Sequence, residues 1–157
     1  MEEISTSSGL GGILNAFRDI TKESKRITFV GTPGFCTPFA ELLAFPIRNS
    51  DKELAYIANL GFDDAKKIVY TSHGMQLAEK TDAAADTVVI LGGLAMPKIS
   101  VDLHDLKAMI DRIFGGAEDT MLIGVCFMSI FEQMKWYNVI DFDYMIDTHT
   151  NSSVLKK

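Results

Sequence analysis

A chain of 157 residues with 47% hydrophobic and 23% charged side chains is enough for one compact core and too little for two ordinary domains, so a single domain over 1–157 is expected. That balance excludes extended disorder, and only the ends, 1–8 and 149–157, read as frayed and polar. The formal net charge of −6 gives no general electrostatic pull toward nucleic acid or anionic lipid, and neither is expected as a partner.

Met1-Glu2-Glu3 lacks a basic n-region and leads into a Ser/Gly stretch, so no secretory signal is expected and the chain reads as cytoplasmic. The next stretch, 9–22, places Leu10, Ile13, Leu14, Phe17 and Ile20 at helical spacing, which predicts an amphipathic helix with one buried stripe. Arg26–Gly31 is a β-branched and aromatic run ending at glycine, the pattern of a buried strand entering a loop. After the loop Thr32–Cys36, Thr37-Pro38 reads as a hydroxyl N-cap with proline at the first helical position. That helix is expected to run to Phe45, before Pro46.

Glu53–Leu60 is read as a second strand, with continued helix as its alternative. In 61–86, Asp63–Val69 suits a short helix while Ile68–Thr71 also suits a strand. The expectation is helix broken near Ser72-His73-Gly74 and resuming through Met75–Lys80. Thr87–Leu91 before Gly92-Gly93 is the clearest strand, apolar on both faces and central. A helix follows over Asp102–Phe114 with Gly115 as its left-handed stop, then a strand over Thr120–Cys126. Ser129 with Glu132 three residues on is a capping-box signature for a helix ending near Asn138, and Phe142–Ile146 supplies a last strand. The apolar runs Thr87–Pro97 and Met121–Phe131 are too short to span a bilayer.

Strands alternating with helices at this spacing predict an α/β fold: a three-layer αβα, doubly wound, mainly parallel sheet of about five strands with an extra N-terminal helix. The order is flavodoxin-like or Rossmann-like. In either, ligands bind outside the carboxyl ends of the strands, which selects Thr32, Gly34, Cys36, Thr37, Gly92, Gly93, Cys126 and Ser129 as candidate ligand-binding residues. Ser72 and His73 join them if the 61–86 segment bends that way.

The loop Thr32–Thr37, with small and hydroxylated residues ahead of a helix, suits a phosphate or carboxylate; in the bland reading Gly and Pro only shape a tight turn. It is neither a P-loop nor GxGxxG, and it is loosely similar to the hydroxyl-rich phosphate loop of flavodoxins without the second central hydroxyl. Cys36, just before a helix start, is a candidate nucleophile or redox thiol, and His73 a candidate acid or base; a buried thiol and an idle loop histidine are the alternatives. The only two cysteines, Cys36 and Cys126, read as reduced thiols. With His73 they form no recognised metal-ligand spacing, and no metal is expected. A phosphoacceptor receiver domain needs carboxylates where Thr32 and Gly92 stand, so that activity is excluded.

The stretches FVGTPGFCTPFAELLAFPIR, VVILGGLAMPK and MLIGVCFM resemble a small family of uncharacterised proteins from methanogenic archaea, over nearly the whole chain. The resemblance implies a Rossmann-like fold and an intracellular setting, and no activity or cofactor. The leading functional expectation is a small-molecule or anion-binding protein, enzymatic or not, with its site at the carboxyl edge. The alternatives are a noncatalytic homo- or hetero-oligomeric module and thiol-dependent activity at Cys36.

Overall fold

A computed structural model describes all residues from Met1 to Lys157. In chain order come α1 (Gly9–Ile20), β1 (Arg26–Gly31), α2 (Thr37–Ala44), β2 (Glu53–Ala58), β3 (Lys66–Thr71), β4 (Gly74–Lys80), β5 (Thr87–Leu91), α3 (Leu103–Phe114), β6 (Met121–Phe127), α4 (Ile130–Gln133) and β7 (Tyr144–Thr148). They build one seven-stranded sheet in the order β4-β3-β2-β1-β5-β6-β7. The five strands from β2 to β7 in that order pair in parallel, while β3 and β4 form an antiparallel hairpin added beyond β2. The sheet is therefore mixed but mostly parallel, and its winding reverses between β1 and β5.

Alternation along each central strand feeds two cores. Val30, Val88, Ile90 and Leu122 pack with Leu106, Ile110 and Ile113 of α3 and Phe131 of α4. Phe29, Val89, Leu91 and Ile123 pack on the opposite face with Ile13 and Phe17 of α1 and Ala40 and Leu43 of α2. Within the second core the Phe17 and Phe29 rings lie 5.7 Å apart. The N-terminal helix thus closes one layer; only Ile13 and Phe17 of its expected stripe are buried, and it stops at Ile20, where the Thr21 hydroxyl donates to the Phe17 carbonyl at 2.8 Å. In α3 the Asp102 carboxylate accepts from the amides of His104 and Asp105, and Gly115 takes φ 57° as the expected left-handed stop.

The helical expectation for 61–86 is wrong. Ile68 and Met75 are buried on a hairpin whose turn, Ser72-His73, is closed by Gly74 at φ +102°. Glycine there serves a turn, because that backbone conformation is costly for side-chain-bearing residues. Asp63 and Asp64 fall in a single 3-10 turn, Phe62–Asp64, and pair with Arg112 and Lys80. The connection from the hairpin to β5 is an extended segment, not a helix. Ala83 and Ala85 are buried in it, and the Thr28 hydroxyl of β1 donates to the Ala83 carbonyl at 2.8 Å. Two boundaries also move: β2 ends at Ala58, and the last strand lies at Tyr144–Thr148 rather than Phe142–Ile146.

Two glycines separate backbone from side-chain crowding. A Cβ on Gly92 would lie 2.8 Å from Cys126 Cβ and 3.1 Å from Cys126 Cα, whereas one on Gly124 would meet the tip of Met145 at 2.3 Å. A thioether tip can swing aside and a strand backbone cannot. Gly92→Ala is therefore expected to destabilise by about 1–3 kcal/mol and Gly124→Ala by less, read from urea midpoints of the two variants.

Candidate functional site

The exits of β1, β5 and β6 gather along one rim of the sheet, because the three strands are parallel neighbours in register. At the winding reversal that rim is closed. A Cβ on Gly93 would lie 2.3 Å from Cys36 Sγ, 2.9 Å from Thr32 Oγ1 and 3.1 Å from the Phe35 ring. Gly31 likewise receives Cys36, whose Cβ would stand 2.4 Å from an added Cβ. These glycines admit side chains of the neighbouring loop.

The first loop is satisfied internally. Thr32 Oγ1 and Cys36 Sγ lie 3.3 Å apart, and the Tyr56 hydroxyl, pushed up to about 12 chiefly by burial, donates to the Thr32 carbonyl at 2.9 Å. Cys36, not Thr37, occupies the cap position of α2, and the Thr37 hydroxyl accepts instead from the Gly34 amide at 3.3 Å. Thr32, Cys36 and Gly93 are buried, Gly34 is exposed, and Thr37 and Gly92 are half-buried.

One step along the rim, polar groups converge at the ends of β6 and β7. Register pairs Cys126 with Asp147. The strand β6 then turns sharply through Met128 and Ser129, both at φ 55°, a left-handed conformation uncommon for residues other than glycine and found disproportionately where a site needs it. The Asp147 carboxylate ties this turn down. Its Oδ1 accepts from the Ser129 amide at 2.9 Å and from Cys126 Sγ at 3.4 Å, and its Oδ2 from the Ser129 hydroxyl at 2.5 Å. His149 Nε2 lies 3.1 Å from Ser129 Oγ and 3.3 Å from Asp147 Oδ2. On the other flank the Gln133 side-chain amide donates to the Met128 carbonyl at 2.6 Å.

The expected capping box is therefore absent. Ser129 makes no side-chain cap, because its hydroxyl is turned to Asp147, and α4 lasts only four residues before a 3-10 turn at Trp136–Asn138. Burial opposes ionisation of Asp147, but hydrogen bonds from the Ser129 hydroxyl and amide and the Cys126 thiol, with His149 nearby, outweigh it and hold the carboxyl below its usual range. The same proximity acts on Cys126, which burial first and Asp147 second push up to about 12.

Of the residues expected at the rim, Cys126 and Ser129 come together with Asp147 and His149, while Thr32, Gly34, Cys36, Thr37, Gly92 and Gly93 lie along the β1–β5 part of it. Ser72 and His73 lie elsewhere. Because β3 runs antiparallel to β2 from Lys66 opposite Tyr56, its far end and the hairpin turn project past the amino end of β2. His73 therefore shares no site with Cys36 and Cys126. Asp147 and His149 escaped the sequence reading, which left the polar tail outside the fold; the signal was an Asp-x-His pair, two residues apart and so on one side of an extended strand.

Residues 8–151 match the family described as an uncharacterized protein conserved in archaea, DUF2124. The chain belongs to this family. It is 38% identical to an uncharacterized protein of Methanothermobacter thermautotrophicus over 157 residues, covering 99% of both chains. It is also 38% identical to one from Methanocaldococcus jannaschii over 153 residues, 96% of this chain and 91% of the relative. A crystal structure of a protein of unknown function from Methanothermobacter thermautotrophicus superposes with a TM-score of 0.92 at 36% identity, covering 100% of this chain and 99% of the other. The resemblance to methanogen proteins read from the sequence holds, and the DUF2124 description assigns no activity.

Two outcomes follow from this geometry. Cys36 and Cys126, at 2% and 1% exposure, are expected to resist iodoacetamide in the native protein at neutral pH and to react fully once unfolded, as mass spectrometry reads; fast native labelling of Cys36 would restore it as a reactive thiol. A depressed carboxylate contributes stability above the unfolded Asp range, about 4, and loses it as pH falls through its lower folded value. Asp147→Asn is expected to cost about 1–3 kcal/mol near neutrality, and urea titrations should show the gap to wild type closing on acidification below pH ~4.

Proposed function

We propose that this protein binds a small molecule at the carboxyl rim of its sheet, at the ends of β6 and β7. The observation that carries the reading is the convergence of a hydroxyl, a carboxylate and an imidazole, Ser129, Asp147 and His149, on a turn of two consecutive left-handed residues. The neighbour order β2-β1-β5-β6-β7 matches a flavodoxin-like pattern, whose ligands sit outside the carboxyl ends of the strands beside the winding reversal, which supports the rim without choosing its β6–β7 end. The side chains filling Gly31 and Gly93 favour the β6–β7 end over the loop Thr32–Thr37. The net charge of −6 gives no general pull toward nucleic acid or anionic lipid, and no helix is long and apolar enough to cross a membrane.

Backbone amide spectra recorded while adding neutral esters, small amines, inorganic phosphate and nucleotides test this. The expected result is shifts at Ser129–Phe131 and Asp147–His149. Phosphate or a nucleotide shifting only Thr32–Thr37 would instead place an anion site on the first loop, and no shift at either place would remove the reading.

A second reading has its own observation. Phe35 at 60% and Met128 at 49% exposure are apolar side chains left in water on this rim, next to a switch point filled from within, as a homo-oligomer surface requires. A dimer by light scattering that Phe35→Ser converts to monomer would favour it; a monomeric wild type would end it.

A further inference from the structure

We propose that Ser129 is an acyl-transfer nucleophile, with His149 as its proton carrier and a small neutral or cationic ester or thioester as substrate. This rests on the binding site at the ends of β6 and β7. A serine hydroxyl is a poor nucleophile until a base takes its proton. His149 Nε2, 3.1 Å from Ser129 Oγ, stands where that base must be. Asp147 is the positioning residue: it fixes the Ser129 turn through the amide, holds the hydroxyl through Oδ2, and lies 3.3 Å from the imidazole that would gain charge.

The arrangement differs from a linear Ser-His-Asp relay, in which the carboxylate holds the far imidazole nitrogen. Here one nitrogen, Nε2, faces both partners, so the tautomer carrying its proton on Nδ1 leaves Nε2 free to accept. Three donors hold Asp147 ionised, the Ser129 amide, the Ser129 hydroxyl and the Cys126 thiol, and an ionised carboxylate stabilises the imidazolium without taking the proton.

The step balances without an added oxidant or reductant. The Ser129 hydroxyl, which at rest donates to Asp147 Oδ2, turns to His149 Nε2 at 3.1 Å; Oγ then bonds to the carbonyl carbon, the carbonyl π pair moves to its oxygen, and the hydroxyl proton passes to Nε2. Collapse breaks the bond to the leaving alkoxide or thiolate, which takes that proton and departs as alcohol or thiol. Water then attacks the Ser129 ester, gives a proton to His149, and the carboxylic acid leaves as Ser129 regains its hydrogen.

The surroundings select the substrate. An open groove of about 470 Å³ next to α4 is lined by Glu132, Tyr137, Ile140, Asp141 and Phe142 with Met1. Two of its lining residues, Glu132 and Asp141, are carboxylates, and Glu132 lies three residues from Ser129. A negatively charged acyl group would meet those carboxylates; a neutral or cationic one would not.

A fluorophosphonate, which phosphonylates activated serines, is the probe. Intact mass is expected to show one adduct on the wild-type protein, mapped to Ser129 by peptide sequencing and absent from Ser129→Ala. His149→Gln, at a largely exposed side chain, is expected to keep the native melting temperature while labelling falls roughly 100-fold. A neutral aryl acetate should compete with the label and a succinate half-ester should not. No adduct at Ser129, or labelling indifferent to His149→Gln, overturns the proposal. If rim amides still shift with added esters while Ser129 stays unlabelled, the binding site stands and the acyl-transfer role falls; if neither occurs, both fall.

Discussion

Burial of the central strands on both faces is the constraint from which the rest follows. Val88, Val89, Ile90 and Leu91 of β5 are all at most 2% exposed, so successive side chains must be covered from opposite sides. A sheet in that position needs a layer above and a layer below, and parallel pairing with helical returns is how a short chain supplies both. One consequence is that α1, which precedes the first strand, is recruited to complete a layer that the crossovers leave short. Another is that the strand exits face the same way, so loops distant in sequence meet at one rim.

That meeting has two chemical outcomes on the same edge. Where β1 and β5 end, backbone without side chains is occupied by Cys36 and Thr32, both buried, with the Phe35 ring lying over it from outside. Where β6 and β7 end, the space is occupied by hydrogen-bonding groups around Asp147, which remain partly in contact with water. The first end behaves as structure and the second as a place where chemistry can happen. The difference comes from which residue types follow each strand, since topology alone would open the reversal between β1 and β5 and not the exits of β6 and β7.

Much of this architecture was legible from residue patterns. Continuous apolar runs ending in glycine marked β1, β5 and β6, and Asp102 with Gly115 bracketed α3, because those signals act over a few neighbouring residues. The hairpin of β3 and β4 was not legible, since Ile68 and Met75 need the β2 edge and the underside of the sheet to become buried, and nothing local supplies that partner. Ser129 was placed on the right rim for an incomplete reason. Ser with Glu132 three residues later satisfies the capping pattern, but a carboxylate 18 residues downstream competes for the same hydroxyl and offers a charged acceptor. Long-range capture of a local signal is invisible without knowing which strand lies next to β6.

The extended return from β4 to β5 has a mechanical corollary. A helix laid on a sheet is about 10 Å thick, whereas a single extended strand of backbone is roughly half that, so the roof over β1 and β2 is thin where Thr81–Asp86 replaces a helix. The open groove of about 470 Å³ bounded by Arg26, Thr28, Lys52, Ala55, Lys67 and Thr81 is the space a helix would have taken. Insulation of the sheet is thus lopsided: β5 and β6 are roofed by α3 and α4, and the β1–β2 pair lies one chain's width from solvent at its amino end.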